Sequence, residues 1–447
     1  MKIIDTNIQF DRFIDSELNK THFIIPIYKN VNKSLHEDDI SLLYVYSIDS
    51  GDEYILCFNH SESESLNTQR LSDYLYSKQP FFCYQKKYLL KYCDKNNLID
   101  IDLVQWYYTN TYLDQEYDTS THDFFYRTFE DLMDVNCIIP ISKHYDKCKK
   151  ICEQFFNVLD YFEGPPYYVT SSYEHYDFGL RMLYNIEKSG LQIDHTLFNK
   201  HFRTSLYSDK LTFTEYNIFT TTGRPSNRFN GINYAALNKE DGSRSAFKSR
   251  FKNGILVQFD YDAYHLRLLA DLIDYEFPEN ISVHEHLGKM YFEKDTLTEA
   301  EYQESKQISF KLLYGGITKD YMTIEFFAKI KRYTDLLFEK FNEEGYLESP
   351  IAGRKLHKKF FKDINASKLL NYFIQIYETE RNILIISCIH ELLQNCEDKL
   401  ILYTYDSFLF DLNGYNEDLI RQIQDTLEHN KKFPVKLTKG NNYHDIE

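Results

Sequence analysis

The hydrophobic and polar positions follow different spacings in different parts of the chain. Near the N-terminus, Asn, Ser, Asp and Gly separate short β-favouring runs that are typical of strands, namely HFIIPIYKNV, SLLYVYSID and EYILCFNH. Helical patterns follow in LSDYLYSK and KKYLLKYC. From about residue 140 to 205 the pattern is helical, and residues 206 to 447 mix strands with long helices. We therefore predict a multi-domain α/β protein.

Length and composition narrow this prediction. A chain of 447 residues exceeds one ordinary hydrophobic core, so two or three domains are expected. No apolar run is long enough to cross a membrane, and the start MKIIDTNIQFDRFIDSELNK carries charges that a signal peptide would lack. The eight Cys are scattered without zinc-ligand spacing, which favours free thiols in a reducing compartment such as the cytoplasm.

The net charge of −17 argues against a nucleic-acid partner, but the sum conceals how the charges are distributed. Basic residues concentrate in three islands, Arg244–Gly254, Gly353–Asp363 and His429–Gly440. Two of them interleave cations with Phe, which suits a surface that follows a nucleic-acid backbone and stacks on bases. Solvated helix faces are the alternative explanation for any one island.

A strand pattern that ends in a carboxylate marks the first candidate site. In ILVQFDYDAYHLRLLADL, an apolar run ends at Asp260, and a helical pattern with Leu266 and Leu269 begins directly after it. A carboxylate at a strand end is held rigidly where a ligand can reach it, and Mg²⁺ prefers such hard oxygen ligands. The alternative is an Asp that merely caps the next helix.

A second carboxylate of this kind lies near the C-terminus. KLILYTYDSFLFDL alternates on both sides of YDS, which predicts a β-hairpin with Asp406 at its tip. A turn-forming Asp is an equally common explanation when the stretch is taken alone. Two strand-tip aspartates together are what a two-metal phosphoryl-transfer site requires.

The segment EYQESKQISFKLLYGG lies between the two aspartates. Lys306, Phe310 and Tyr314 recur every four residues, so they line one helix face, and Gly315 and Gly316 are expected to end the helix. A Lys on such a face can hold a triphosphate while the rings pack against a base or sugar. A core stripe with a snorkelling Lys is the alternative.

In this order, the three stretches resemble the polymerase motifs of the A-family nucleotide polymerases, the bacterial and phage replicative or repair DNA polymerases. FDYDAYHLRLLA resembles the first motif, KQISFKLLYGG the second and TYDSFLFD the third. Further segments resemble family elements in the same order, namely RMLYNIEKSGLQID, TTTGRPSNRFNGINYAALN, SVHEHLGKMYF, SPIAGRKL and NYFIQ. The resemblance covers residues from about 175 to 447.

The resemblance implies attack of a primer 3′ hydroxyl on the α-phosphate of a nucleotide, with pyrophosphate leaving. Asp260 and Asp406 would be the catalytic ligands of two Mg²⁺ ions, and the backbone carbonyl of Tyr261 would add a ligand. The residues expected to contact the nucleotide are Lys306, Phe310, Tyr314, His265 and His284. The residues expected to contact DNA are Arg224, Arg250, Arg354, Asn371 and Gln375.

The family fold is a right-hand polymerase with an antiparallel palm sheet, helical fingers and a thumb. This implies palm and fingers at 220–447, with the fingers at about 280–345, and connecting helices with a reduced thumb at 141–219. Only HTLFNKHFRTSLYSDKLTFTEYNIF separates GLQID from TTTGR, where the family usually has a long helical thumb. We therefore predict a weak grip on DNA and low processivity, unless a processivity factor or another replication protein supplies a clamp.

Residues 1–140 stand where the family carries its 3′→5′ exonuclease, a ribonuclease-H-like α/β domain. That domain needs a D-x-E on its first strand, but FIIPIYKN has no carboxylate, and QKKYLLKY lacks the second Asp. Asp146 would be a single remaining ligand, and one ligand cannot support two-metal hydrolysis. We predict a structural domain without proofreading activity.

All three motifs also depart from the family pattern. His265 replaces the Glu that screens the sugar 2′ position, and Tyr302 replaces an Arg of the second motif. Asp406 is flanked by Tyr405 and Ser407 instead of His and Glu. The bulk of His265 predicts a retained preference for deoxynucleotides, whereas the Asp-Ser pair is also carried by single-subunit RNA polymerases.

The sequence therefore predicts a template-directed DNA polymerase that extends a primer with deoxynucleoside triphosphates. Its compact size favours a phage or similar mobile-element replication enzyme, which would act in the host cytoplasm. A single-subunit RNA polymerase or primase is the first alternative, and a catalytically weak DNA-binding replication subunit is the second. Retention of both aspartates and of Lys306 argues against the second alternative.

Overall fold

The computed structural model describes residues 1–17, 19–30, 33–77, 81–94, 98–111, 113, 135–162, 170–202, 210–227, 232–279 and 281–446. The chain divides into two compact units. The first comprises 1–190, 203–219 and 228–232, and the second comprises 191–202, 220–227 and 233–447. Among the helices within these described ranges, none has both the length and the apolar character that crossing a membrane requires.

The first unit is an α/β domain built on one six-stranded sheet. Its strands are β1 (Lys2–Ile4), β2 (His22–Tyr28), β3 (Ile40–Ser47), β4 (Glu53–Cys57), β5 (Phe81–Cys83) and β6 (Leu98–Asp100). Its helices are α1 (Asn7–Glu17), α2 (Thr68–Ser77), α3 (Ile101–Thr109), α4 (Ile141–Leu159) and α5 (Ser171–Ser189). Its shorter elements are the two-residue strands Leu211–Thr212 and Tyr216–Asn217 and the 3-10 turns Lys86–Leu89 and Asn136–Ile138.

The strand order in this sheet is β1-β4-β3-β2-β5-β6. Strands β2, β3 and β4 form an antiparallel meander, β5 is parallel to β2, β6 is parallel to β5, and β1 is parallel to β4. Every residue of β2 is buried, as a continuous apolar run predicts for a strand that is covered on both faces.

The helix predicted at KKYLLKYC is wrong, because only the 3-10 turn Lys86–Leu89 forms there. Gln85 precedes it in the left-handed region at φ 54°, so no helix extends back through that residue. Lys86 is fully buried, its amide donates to the Asp100 carboxylate at 3.0 Å, and its ammonium lies 2.7 Å from Asp177. These tertiary contacts hold the segment as a short turn.

The second unit combines an antiparallel four-stranded sheet with long helices. Its strands are β7 (Leu191–Ile193), β8 (Ile255–Tyr261), β9 (Tyr346–Glu348), β10 (Lys355–His357), β11 (Lys399–Tyr403), β12 (Ser407–Leu412) and β13 (Val435–Gly440), with two-residue strands at Ser226–Asn227 and Phe247–Lys248. Its helices are α6 (His195–His201), α7 (Tyr264–Leu272), α8 (Val283–Phe292), α9 (Glu299–Gly315), α10 (Glu325–Glu344), α11 (Ala366–Leu392) and α12 (Glu417–Glu428). Its 3-10 turns are Tyr234–Ala236, Ser243–Ala246, Lys319–Tyr321 and Lys358–Phe360.

The four-stranded sheet has the order β11-β12-β8-β13. Strand β8 pairs with β12 from Ile255 opposite Leu412 to Asp260 opposite Ser407. The predicted hairpin is confirmed, since β11 and β12 pair on either side of the tip that carries Asp406. This register brings the end of β8 and the tip of the hairpin to the same end of the sheet.

Helix α9 has the ends that its sequence predicts. It begins with a capping box, in which Thr298 and Glu301 each bind the other's backbone amide, and such caps satisfy amides that would otherwise lack partners. It ends at Gly315, followed by Gly316 at φ 101°, which L side chains rarely adopt. The end of the helix at the Gly pair is therefore confirmed.

Candidate active site

Two carboxylates meet at one end of the four-stranded sheet. Asp260 on β8 lies directly opposite Ser407 on β12, and the Tyr261 amide donates to the Asp406 carbonyl at 2.9 Å. Directly opposed residues on antiparallel strands have Cβ atoms about 5 Å apart. The backbone therefore brings Asp406, the neighbour of Ser407, close to Asp260.

The surroundings of both carboxylates disfavour their charged forms. Burial raises the pKa of Asp260, and the nearby Lys239 and Lys436 offset this only in part. Desolvation raises the pKa of Asp406 to about 6, and the negative charges of Asp260 and Glu378 add to the effect. Acidic groups that repel one another in this way favour a divalent cation between them, because the cation removes the repulsion.

The oxygen ligands at this end of the sheet fit a magnesium ion whose remaining ligands are water and substrate oxygens. In the part of the chain that the structure describes, no group of three or more His, Cys, Asp or Glu side chains could enclose a metal ion. Two carboxylates and backbone carbonyls are hard oxygen ligands, and Mg²⁺ is usually held by one or two carboxylates plus phosphate and water. Asp262 points elsewhere, since it forms an ion pair with Arg267 at 2.8 Å.

Tyr261 offers this site its backbone only. Its ring is buried and stacks on Tyr264, with centroids 4.0 Å apart and planes inclined by 13°. Its hydroxyl donates to the Leu427 carbonyl at 2.8 Å. Both contacts hold the end of β8 in place next to Asp260, which is a structural role that the sequence did not predict.

One face of α9 carries a cation and two exposed rings. Phe310 and Tyr314 are 44% and 42% exposed, and their rings are nearly parallel at 5° with centroids 6.1 Å apart. The Lys306 ammonium lies 4.5 Å from the centre of the Tyr302 ring. Because these rings face solvent, the alternative of a buried core stripe is wrong. Exposed parallel rings beside a Lys can take up a base and its phosphates.

His284 on α8 lies beside this face, with its ring 5.5 Å from that of Phe310. Burial lowers the pKa of His284 to about 4, and although Asp262 acts against the shift, Lys306 adds to it. Its Nδ1 has no hydrogen-bond partner among the described residues. A neutral, buried imidazole with a free nitrogen is suited to a polar ligand that binds next to Lys306.

A cluster of side chains surrounds a buried carboxylate that the sequence did not single out. Glu378 on α11 is 1% exposed, and its oxygens lie 2.8 Å from Arg224 Nε and 3.4 Å from His265 Nε2. His265 Nδ1 lies 2.9 Å from the Tyr314 hydroxyl. The Arg224 guanidinium covers the ring of Tyr405 at 3.7 Å. The structure therefore joins predicted nucleotide and DNA contacts through a residue that sequence reasoning missed.

Two of the predicted DNA contacts lie on the same helix as Glu378. Asn371 donates from its side chain to the Tyr314 carbonyl at 3.3 Å. Gln375 accepts from the Thr222 hydroxyl at 3.4 Å. These two side chains and Arg224 therefore lie near the exposed rings of α9, where the resemblance implies template and primer.

The other two predicted DNA contacts have internal partners. Arg250 Nε lies 2.8 Å from the carboxylate of Asp411, which has no exposed surface and also accepts from the Arg250 amide. Arg354 is itself fully buried. A guanidinium without exposed surface cannot reach a DNA backbone, so the expectation for Arg354 is corrected to an internal role.

The fold of the chain is similar to that of a DNA polymerase domain. A solved structure described as the POL domain of Pol1 from M. smegmatis in a complex with DNA primer-template and dNTP matches it with a TM-score of 0.68. The match covers 100% of both chains at 12% sequence identity. No protein-family model and no curated protein sequence matches the chain. At this identity the similarity concerns the fold, so residue roles rest on the geometry of this chain.

Proposed function

We propose that this protein is a template-directed DNA polymerase that extends a primer 3′ end by two-metal nucleotidyl transfer. The observation that carries the proposal is the pairing of Asp260 and Asp406 beside the exposed Lys306–Tyr314 face of α9. Burial and the negative charges of Glu378 and Asp406 raise the pKa of Tyr314 to about 12, which is the behaviour of a ring next to the carboxylates. The bound primer-template and dNTP of the structurally similar Pol1 domain support the same function.

The proposed reaction forms a bond between the primer 3′ oxygen and the α-phosphate, and breaks the bond from that phosphate to pyrophosphate. Two Mg²⁺ ions held by Asp260, Asp406 and the Tyr261 carbonyl would neutralise charge on the attacking and leaving oxygens. Lys306 and His284 hold the triphosphate, and the parallel rings of α9 pack against the base pair that forms. The chain itself thus contributes positioning and charge.

For the N-terminal region we propose a ribonuclease-H-like domain without proofreading. An antiparallel meander followed by parallel strands on the side of β2 supports this fold. The strand β2 carries Pro26 and Tyr28 but no carboxylate, and Asp146 is exposed on α4. One exposed Asp without acidic neighbours on the adjoining strand is a poor donor set for two metal ions.

The remaining features of the family resemblance stay predictions. They are the division into 1–140, 141–219 and 220–447, the palm, fingers and reduced thumb, low processivity with a partner replication protein, cytoplasmic localisation and a phage origin. Residues 203–209 belong to the predicted thumb segment and lie outside the described residues.

A primer-extension assay tests the proposed function. Wild type and Asp406→Ala are compared with deoxy- and ribonucleotides, with and without a primer. We expect primer-dependent incorporation of deoxynucleotides that Asp406→Ala loses by a factor of about 1000 or more. Asp262→Ala is the matched control, because that carboxylate pairs with Arg267.

Each alternative predicts a different result in the same assay. Ribonucleotide synthesis without a primer would support the RNA polymerase or primase alternative. Failure of the wild type to incorporate any nucleotide, while it still binds primer-template, would support the non-catalytic subunit and contradict the proposed function.

A further inference from the structure

Glu378 is a buried acidic side chain at the centre of the proposed site, and the reaction described above gives it no role. It is 1% exposed. Within the described residues neither of its oxygens meets a partner in hydrogen-bond geometry, although Arg224 and His265 lie within ion-pair distance. A buried carboxylate is costly unless its neighbours hold charge or dipoles towards it. Its retention therefore requires a physical explanation.

The first explanation lies in His265, which connects Glu378 to the nucleotide face of α9. Nε2 of the ring faces the carboxylate at 3.4 Å, and Nδ1 faces the Tyr314 hydroxyl at 2.9 Å. The carboxylate therefore lies at one nitrogen of the ring and the Tyr314 hydroxyl at the other, so His265 links Glu378 to Tyr314. Glu378 thus helps to position the ring that contacts Tyr314.

The second explanation lies in Arg224, which connects Glu378 to the hairpin that carries Asp406. The guanidinium is held 2.8 Å from the carboxylate and 3.7 Å from the centre of the Tyr405 ring. Tyr405 has φ 67°, a left-handed conformation that a large residue keeps only when its surroundings hold it. Glu378 therefore contacts the residues that position both Tyr314 on α9 and the hairpin tip with Tyr405.

We propose that Glu378 is the positioning residue that sets the sugar selectivity of this polymerase. Glu378 holds His265 against Tyr314, and these two side chains then exclude a 2′ hydroxyl of the incoming nucleotide. Position 265 carries His where the resemblance implies Glu. Glu378 on α11 places a carboxylate on the other side of the His265 ring. This inference rests on the proposed function, which it deepens by naming the residue that distinguishes deoxy- from ribonucleotides.

The arrangement predicts an energetic coupling between positions 265 and 378. His265→Glu in the wild-type background places two carboxylates next to each other in a buried site, where like charges disfavour one another. The same substitution in a Glu378→Gln background meets a neutral amide. His265→Glu is therefore expected to be harmful alone and tolerated in the double variant. The deoxy-to-ribo ratio is the readout that a purely structural role of Glu378 would leave unchanged.

Single-nucleotide incorporation measures this coupling. The kcat/KM values for a dNTP and for the matching rNTP are determined for wild type, Glu378→Gln, His265→Glu and the double variant. We expect Glu378→Gln to lower the deoxy-to-ribo ratio about tenfold, because the neutral amide no longer holds His265 and Arg224 by its charge. We expect His265→Glu to lower kcat/KM for the dNTP about tenfold or more, and the added Glu378→Gln to restore most of it.

Glu380 provides the matched control on the same helix. It is fully buried, and its carboxylate accepts from the Ile351 and Ala352 amides at 2.9 and 3.1 Å. Glu380→Gln should lower the melting temperature without changing the deoxy-to-ribo ratio. If Glu378→Gln does not fold, Glu378→Asp, which withdraws the charge by one methylene, replaces it in the same comparison.

The two possible failures are distinguishable. An unchanged ratio in Glu378→Gln, with the same effect of His265→Glu in both backgrounds, would overturn the role of Glu378 while the wild type still extends primers. A wild type that incorporates neither sugar would instead overturn the polymerase function and this inference with it.

Discussion

Two acidic sites, one in each unit, differ in whether a cation pairs with the carboxylates. In the first unit, Lys86 is fully buried and its ammonium lies 2.7 and 2.8 Å from the two oxygens of Asp177. In the second unit, Asp260 and Asp406 form no ion pair among the described residues, and the pKa of each is raised. A carboxylate that an ion pair neutralises is structural, whereas a pair of carboxylates whose charge is only partly offset can take up a further cation.

The same contrast explains why the acidic residues of the first unit are poor metal ligands. Burial raises the pKa of Asp100 to about 7, as it raises those of Asp260 and Asp406. Both oxygens of Asp100, however, already accept hydrogen bonds, from the Lys86 and Asp102 amides. Glu187 is fully buried between Lys87 and His36. These oxygens are already occupied by internal partners, which favours a structural role for this unit independently of its missing D-x-E.

Removal of divalent cations is expected to have the largest effect, a loss of primer extension without a loss of structure. With a chelator present, primer extension should fall by a factor of about 1000 or more, because the charges of Asp260 and Asp406 then repel the nucleotide phosphates. Added Mg²⁺ should restore it. Far-UV circular dichroism should stay unchanged, since no group of three or more His, Cys, Asp or Glu side chains in the described ranges could hold a structural cation. Loss of secondary structure on chelation would contradict the separation between structural and functional carboxylates.

Lys86→Ala tests the structural role of the ion pair between Lys86 and Asp177 in the first unit. It removes the nearer cation of Asp177 and leaves, within the described residues, only Arg181, whose Nε lies 3.5 Å away. The free energy of unfolding should therefore fall by about 3 kcal/mol, as measured by urea denaturation. Lys86→Ala/Asp177→Ala is the control and should recover part of the loss. Primer extension per folded molecule should not change. Equal stability of wild type and Lys86→Ala would show that this ion pair does not stabilise the unit.

Asp406→Asn is expected to produce the smallest effect, a gain in stability. The pKa of Asp406 is about 6 in the folded protein against an ordinary 3.8, so the folded state binds the proton more tightly than the unfolded state. Above pH 6 the ionised carboxylate therefore destabilises the fold, and this penalty vanishes as the pH falls below about 4. In chelator, the melting temperature of the variant should exceed that of wild type near pH 7.5 and equal it near pH 4.

Local patterns were sufficient for the elements that carry the proposed site. Strand β8, the hairpin with Asp406 and the single face of α9 follow from alternation and from the four-residue spacing, which depend on neighbouring residues alone. The failure at KKYLLKYC has the opposite origin. Lys86 is buried there and pairs with Asp177, and no local pattern reports the position of that carboxylate.

Charged residues were the least predictable from the sequence. Arg250 and Arg354 belong to basic islands, yet one pairs with Asp411, 161 positions away along the chain, and the other is fully buried. Glu378 follows Gln375 on α11 and has no local feature that distinguishes it from a solvated helix residue. The partner of a charge is set by packing between elements, so spacing along the chain does not reveal it.

By itself, the sequence determined which segments form strands and helices around Asp260, Lys306 and Asp406, because these follow from short-range periodicity. Only the tertiary structure decided that the two aspartates lie at one sheet end with their charge only partly offset, since desolvation and charge proximity arise from residues distant in sequence. The same reason places Glu378 between His265 and Arg224. The sequence therefore predicted which side chains carry the chemistry. The fold decided which of their charges find a partner.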